Sequence, residues 1–273
     1  MSELEAKQTR LRSELGALPS LLVAYSGGVD SAYLAHTAHQ VLGHSMLAVT
    51  AVSASLSAYD RELAGRCAAQ MAMPHEFIET GEVSNPEYRA NRPDRCFFCK
   101  DELFDKLDEL AAHRGYAAVA YGLNLDDLGD WRPGQQAARK HRVLTPLLDA
   151  GLNKADIREL ARQAGVPVWD RPASPCLASR IAYGVEATPD RLRVVEQGEE
   201  ALRGLGFAQF RVRHHDQLVR IEIAPDELPR ALDPLMGRRF VEIFKRLGFS
   251  HVTLDLEGYR QGSLNSGLTQ IRS

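Results

Sequence analysis

Leu21-Leu22-Val23-Ala24-Tyr25-Ser26-Gly27-Gly28-Val29-Asp30-Ser31 decides the fold: five apolar residues stop at a serine and two glycines, and a helical pattern follows at once. An apolar run bounded by glycine suits a strand buried on both faces, which is the environment of a parallel sheet. Upstream, Leu4, Leu11 and Leu15 recur at near-helical spacing in a charged segment. Downstream, similar apolar runs occupy 46–52 and 117–121, with helical patterns around 32–42, 60–71 and 100–113. This alternation predicts an α/β fold, a parallel sheet covered by helices. Asn153 as N-cap, Asp156 at the capping-box position and Gly165 before Pro167 predict one more helix.

The stretch 169–180 carries Pro172 and Pro175 and no period, so irregular backbone is expected there. The predicted organisation is a first domain over 1–168, a junction over 169–187 that contains Cys176, and a smaller α+β domain over 188–273. In that last part Thr188-Pro189 opens a helix closing near 204–206, followed by strands over 210–214 and 218–223. Leu205-Gly206-Phe207 is echoed by Leu247-Gly248-Phe249, each between a basic helix and a strand, so two related units or chance similarity both remain readings.

The 273 residues carry 33 basic and 36 acidic side chains, a net charge of −3 that excludes binding a polyanion through bulk charge. The opening Met1-Ser2-Glu3-Leu4-Glu5-Ala6-Lys7 has no apolar core of a signal peptide, and no run approaches the ~18 apolar residues of a membrane span. A soluble, cytoplasmic protein is expected. Four cysteines, Cys67, Cys96, Cys99 and Cys176, are too sparse for a disulfide framework and read as metal-binding, reactive or buried thiols.

The loop Ser26-Gly27-Gly28-Val29-Asp30-Ser31 joins strand to helix, where unpaired helical amides and glycine curvature cradle anionic oxygens. A capped glycine turn without a ligand is the plain alternative. No lysine follows the glycines, so the Walker A pattern fails at the residue that reaches the β/γ-phosphates. The motif S-G-G-x-D-S instead resembles the PP-loop of ATP pyrophosphatases. That resemblance implies ATP held by its pyrophosphate at Ser26, Gly27, Gly28, Asp30 and Ser31, cleavage of the α/β bond, and passage of AMP to a substrate oxygen. Asp30 either holds Mg²⁺ against the phosphates or favours the positive end of the helix dipole.

Further stretches carry a more specific likeness: 170–180, Gly122-Leu123-Asn124-Leu125-Asp126-Asp127 leading to Arg132-Pro133-Gly134, and Leu254-Asp255-Leu256-Glu257-Gly258-Tyr259-Arg260 running to Asn265. With the loop, they resemble the LarE sulfur transferases of nickel-pincer nucleotide synthesis. The resemblance implies adenylation of a carboxylate on a pyridinium dicarboxylate mononucleotide, attack by sulfur, and release of a thiocarboxylate. Cys176 matches the sulfur-bearing cysteine, which in sacrificial members loses its sulfur by elimination and becomes dehydroalanine. A small-molecule nucleotide substrate and a symmetric homo-oligomer such as a hexamer are implied too.

Arg95-Cys96-Phe97-Phe98-Cys99-Lys100 adds two thiols at a spacing that can grip one metal centre. Here the chain is similar to the subset in which three cysteines hold a [4Fe–4S] cluster, and Cys96, Cys99 and Cys176 are the implied ligands. A zinc site wants four closed ligands, and buried thiols beside Phe97 and Phe98 need no metal; both alternatives stay open. Cys67 reads as packing. In a strand, Arg211 and Arg213 share one face, and two guanidinium groups suit a phosphate monoester. The resemblance gives them the substrate phosphate, while pairing with Glu222 or Asp216 is the alternative. Asp126 and Asp127 either bind Mg²⁺ or cap a turn, and Arg180 and Arg260 either meet substrate anions or pin the junction through carboxylates. A tRNA-thiolating PP-loop enzyme is the second function considered. The mild acidity and the lack of a recognisable RNA module count against a nucleic-acid substrate. An amide-forming relative and a nucleotide-sensing module are the remaining readings.

Overall fold

In the computed structural model, which describes residues 2–129 and 133–260, the elements run α1 (Glu3–Gly16), β1 (Leu21–Ala24), α2 (Val29–Leu42), β2 (Met46–Val52), α3 (Ala58–Gln70), β3 (His75–Glu79), α4 (Pro86–Arg89), α5 (Arg95–Arg114), β4 (Ala118–Tyr121), α6 (Pro133–Lys140), α7 (Pro146–Asp149) and α8 (Lys154–Gln163). They continue with α9 (Pro189–Gly204), β5 (Phe210–His215), β6 (Leu218–Ile223), α10 (Leu228–Ala231), α11 (Pro234–Arg246) and β7 (His251–Leu254). Arg132 and Asn265 of the family-like stretches lie outside the described residues. The chain forms two compact units, one through Asn85 with Asp94–Ser174, the other Pro86–Pro93 with the chain from Pro175. No described helix is long and apolar enough to cross a membrane.

The first unit has the expected α/β architecture, a parallel sheet of order β3-β2-β1-β4. Leu21 of β1 is in register with Met46 on one side and Ala118 on the other, so β1 is central. Alternating side chains divide between two cores, as a pleated strand requires. Leu21 and Val23 join α1, α2, α3 and α8, whereas Leu22 and Ala24 join Leu103, Phe104 and Leu107 of α5 and Ala137 of α6. Strand β3 escapes the sequence patterning: His-Glu-Phe-Ile-Glu holds no buried residue, and Phe77 is 40% exposed, because β3 is an edge.

Helix α8 starts as its sequence predicts. Asn153 Oδ1 accepts from the Asp156 amide at 2.8 Å and Asp156 Oδ2 from the Asn153 amide at 3.2 Å. Gly165 follows the helix at φ +69°, a left-handed conformation that terminates the turn at little cost for glycine. Just past α6, His141 is clamped to α5. Its Nδ1 lies 2.8 Å from Asp108 Oδ2 and its Nε2 2.9 Å from Asp101 Oδ1, with Asp105 at 3.7 Å and Lys140 also bonded to Asp101. Only imidazolium donates from both nitrogens. Burial alone would lower the His141 pKa, but Asp108 and Asp101, supported by Asp105, raise it above the ordinary value.

In the second unit β6 pairs antiparallel with β5 and parallel with β7, and α9 and α11 supply the helical layer. Gly198 of α9 admits a tight contact, since a Cβ there would stand 2.7 Å from Phe244 and 3.2 Å from Val212. The Leu-Gly-Phe echo has a local cause. Gly206 and Gly248 both take left-handed φ values, +83° and +98°, and Phe207 and Phe249 each return an amide to the carbonyl five residues back, Leu202 and Phe244. The likeness is a repeated helix-capping device. Asn91, buried and left-handed at φ +51°, directs its side-chain amide at the carbonyls of Ile181, Ala182 and Val185 at 3.2, 2.9 and 2.8 Å. Its own carbonyl accepts from Gly184. Pro86–Pro93 thus belongs with 181–187.

Gly198→Ala should lower the thermal midpoint: overpacking costs about 1–3 kcal/mol, more than the roughly 1 kcal/mol that alanine returns in helix propensity. The His141 clamp contributes fully below an unfolded pKa of about 6.5 and fades as pH rises through the raised folded value. Melts at a series of pH values should therefore show wild type losing its advantage over His141→Gln on the alkaline side.

Candidate functional site

The first unit carries its candidate site at the carboxyl end of β1, where open α/β sheets place ligands. Tyr25 still bonds to β2, its amide donating to Val49 at 2.8 Å, and the chain then turns. Gly27 takes φ +73° because α3 presses on it; a Cβ would meet that of Ala64 at 2.9 Å. The two predicted hydroxyls close the turn. Ser31 Oγ accepts from the Ser26 amide at 3.1 Å, donates to the Gly28 carbonyl at 3.0 Å, and lies 3.1 Å from Ser26 Oγ. On the other side Gly122, at the end of β4, lies so close that a Cβ would stand 2.8 Å from the Ser31 nitrogen.

A cleft of about 120 Å³ opens here, lined by Ser26, Gly28, Asp30, Ser31 and Gly122, and by Lys100 from α5. Sequence reading missed Lys100. The loop lacks the Walker lysine, and α5 supplies an ammonium group to the same cleft from a different element. The available signal was its position four residues after Cys96, hence on the same helical face. Lys154 was missed as well. Its ammonium sits 2.5 Å from Asp30 Oδ2, brought there by the start of α8. Asp126 accepts from the Lys154 amide at 2.8 Å and so caps α8, and Asp127 accepts from the Asn124 amide at 3.2 Å. Both aspartates shape the turn that follows β4.

Cys96 and Cys99 lie in the first two turns of α5, about one helical turn apart. Cys96 is exposed and Cys99 half-buried, unlike the buried thiols of a purely apolar reading. Cys67 is buried at 1% exposure and burial pushes its thiol pKa up, in keeping with packing.

In the second unit Cys176 is half-buried and N-caps the short turn Leu177–Arg180. Its carbonyl accepts from the Ser179 amide at 2.9 Å, the Ser179 hydroxyl at 2.7 Å and Arg180 Nη1 at 3.1 Å. Arg180 also donates to the Pro175 carbonyl. Its other edge is bidentate to Glu199 at 2.9 and 3.3 Å, both side chains being buried. The guanidinium thus pins the Cys176 turn through a carboxylate, the structural one of its two predicted roles. Arg260 contacts Glu257.

Arg213 donates to the Ser179 carbonyl at 3.2 Å and is held at 3.0 and 2.9 Å by the fully buried Glu222. Arg213 is thus oriented by Glu222, one of the two carboxylates considered as its neighbours. Arg211 lies over the Tyr259 ring at 5.0 Å, and burial followed by the Arg180 cation lowers its pKa. Cys176, Arg180, Arg211 and Arg213 all belong to one unit, while Ser26, Gly28, Asp30 and Ser31 gather in the other.

No family model matches the chain. A protein of Synechocystis sp. with no assigned activity is 44% identical over 267 residues, 98% of this chain and all of its own. The pyridinium-3,5-bisthiocarboxylic acid mononucleotide synthase of Lactiplantibacillus plantarum is 33% identical over 273 residues, all of this chain and 98% of its own. One subunit of the glutamine-hydrolysing GMP synthase of Pyrococcus furiosus is 24% identical over 217 residues, 71% of this chain and 66% of its own. A likeness to the synthase that runs from end to end decides the matter: the chain belongs to the LarE family, that of the Lactiplantibacillus plantarum enzyme.

Proposed function

We propose that the chain is an ATP-dependent sulfur transferase that adenylates a carboxylate of a pyridinium dicarboxylate mononucleotide and converts it to a thiocarboxylate for a nickel-pincer nucleotide. The observation that carries this reading is the finished phosphate loop, with Ser26, Gly28 and Ser31 at the start of α2 and Lys100 lining the same cleft. It stands in a relative of a bisthiocarboxylic acid mononucleotide synthase. The substrate carboxylate oxygen attacks the α-phosphorus of ATP, and pyrophosphate departs against the α2 amides and the Lys100 cation. Asp30, an oxygen donor at the cleft, is the group that would hold Mg²⁺, and the ion would screen phosphate charge.

The acyl adenylate is then open to Cys176. Its thiolate attacks the carbonyl carbon, the bond to AMP breaks, and AMP leaves with the electron pair. Loss of the Cys176 Cα proton with cleavage of its Cβ–S bond releases the thiocarboxylate and leaves dehydroalanine. Arg211 and Arg213 hold the substrate phosphate, residues 169–187 form the junction that carries Cys176, and 188–273 form the substrate domain. The enzyme acts in the cytoplasm as a homo-oligomer such as a hexamer.

Cys96, Cys99 and Cys176 are the residues that would hold a [4Fe–4S] cluster. Cys96 and Cys99 offer accessible thiols about one helical turn apart on α5, and Cys176 offers a half-buried thiol at a turn of the second unit. When bound, the cluster would supply sulfide in place of the cysteine sulfur and spare the polypeptide.

Cys176→Ser should abolish thiocarboxylate formation while ATP still binds; an undiminished yield would remove Cys176 from the chemistry. Intact mass after one turnover separates the sulfur sources: loss of hydrogen sulfide marks sacrifice, and unchanged mass with anaerobically retained iron marks the cluster. Lys100→Met should slow substrate-dependent pyrophosphate release by about 10²-fold, the usual scale for deleting one electrostatic donor to a reacting group. Steeply salt-dependent RNA binding would redirect the assignment towards tRNA thiolation.

A further inference from the structure

Asp60 lies in the first turn of α3 and belongs to neither the phosphate loop nor the sulfur-bearing site described above. Three side chains converge on its carboxylate. Ser57 Oγ, the N-cap hydroxyl of α3, donates to Oδ2 at 2.7 Å, Arg171 Nη2 donates to Oδ1, and Ser174 Oγ lies 3.4 Å from both oxygens. Capping explains Ser57 but not the other two, which come from the stretch leading to Cys176. Arg171 is further constrained. Its guanidinium lies 5.9 Å from the Tyr59 ring centroid, its amide donates to Val168 at 3.2 Å, and its carbonyl accepts from Arg158 Nη2 at 3.0 Å. Both Asp60 and Arg171 have side chains less than one-fifth exposed, a setting in which a charged pair holds its geometry better than on an open surface.

The spacing of the prolines gives this anchor its consequence. Pro172 follows Arg171 and Pro175 follows Ser174, and each fixes φ near about −65° and restricts the residue before it. A chain gripped at 171 and 174 and stiffened at 172 and 175 has little freedom left when it reaches Cys176.

We propose that Asp60 is a positioning residue for sulfur delivery, holding Arg171 and Ser174 so that the proline-stiffened segment presents Cys176 in one place. The proposal rests on the sulfur-donating role of Cys176. Adenylation does not use the anchor; transfer from Cys176 does. Misplacement of a reacting group by about 1 Å can cost 10²-fold, so loosening the anchor should be felt in transfer alone.

The test compares wild type, Asp60→Asn, Arg171→Ala, Arg171→Lys and Cys176→Ser as full chains with ATP and the pyridinium dicarboxylate mononucleotide. Pyrophosphate release, single-turnover thiocarboxylate formation and the rate of Cys176 alkylation by iodoacetamide are measured alongside the thermal midpoint. For Asp60→Asn and Arg171→Ala, pyrophosphate release should stay within about two-fold while transfer falls about 10-fold or more and alkylation changes. Arg171→Lys, which keeps a cation for Asp60, should recover part of the transfer rate. Wild-type transfer in Asp60→Asn with a dead Cys176→Ser would overturn the anchor and leave the role of Cys176 standing. Full transfer by Cys176→Ser would overturn that role itself. Equal losses in pyrophosphate release and transfer would reduce Asp60 to a structural residue and also overturn the proposal. Should Asp60→Asn fail to fold, Ser174→Ala, which removes the weakest contact, should show a smaller split of the same sign.

Discussion

A strand buried on both faces can offer functional groups only where it ends, and that constraint organises the first unit. Every side chain of β1 is consumed by one of two cores, so chemistry begins at Ser26, where the chain leaves the sheet. The space there is already taken. Ala64 presses on Gly27 and the Ser31 amide on Gly122, and both crowded positions are glycines. The serine hydroxyls brace the turn itself, at a helix start whose first amides have no intrahelical acceptor.

The second unit solves a different problem, holding several cations close together. Arg180 and Arg213 are each matched by a buried glutamate, Glu199 and Glu222. Burying such pairs costs desolvation that apolar residues of the same volume would avoid, so the pairs are poor evidence of stability. What they supply is orientation. Arg180 points at the two carbonyls that flank the start of the Cys176 turn, and Arg213 reaches the carbonyl of Ser179 in the same turn.

Much of this was legible in the chain. β1, β2 and β4 announce themselves as apolar runs, the α8 capping box reads directly from Asn153 and Asp156, and the phosphate loop stands between strand and helix as its pattern demands. Alternation along β5 placed Arg211 and Arg213 on one face, and Glu222, one of two carboxylates considered as their partners, stands opposite Arg211 in the register. The missed parts share one cause. Lys100, Lys154 and Asp60 gain meaning only when distant segments meet, and a lone charged residue in a helix looks like any solvated face until its neighbour is known. β3 was missed because an edge strand is under no pressure to be apolar.

The excursion of Pro86–Pro93 into the second unit has a bearing on how this polypeptide can be cut. Asn91 satisfies three main-chain oxygens of the 181–185 segment with one side chain. A gene fragment opening at Pro175 leaves that plug behind, stripping partners from oxygens that would otherwise have to find water. The carboxyl-terminal portion is therefore not a module that evolution or a cloner can lift out by a single cut, and on the ribosome the plug emerges long before the groove it fills.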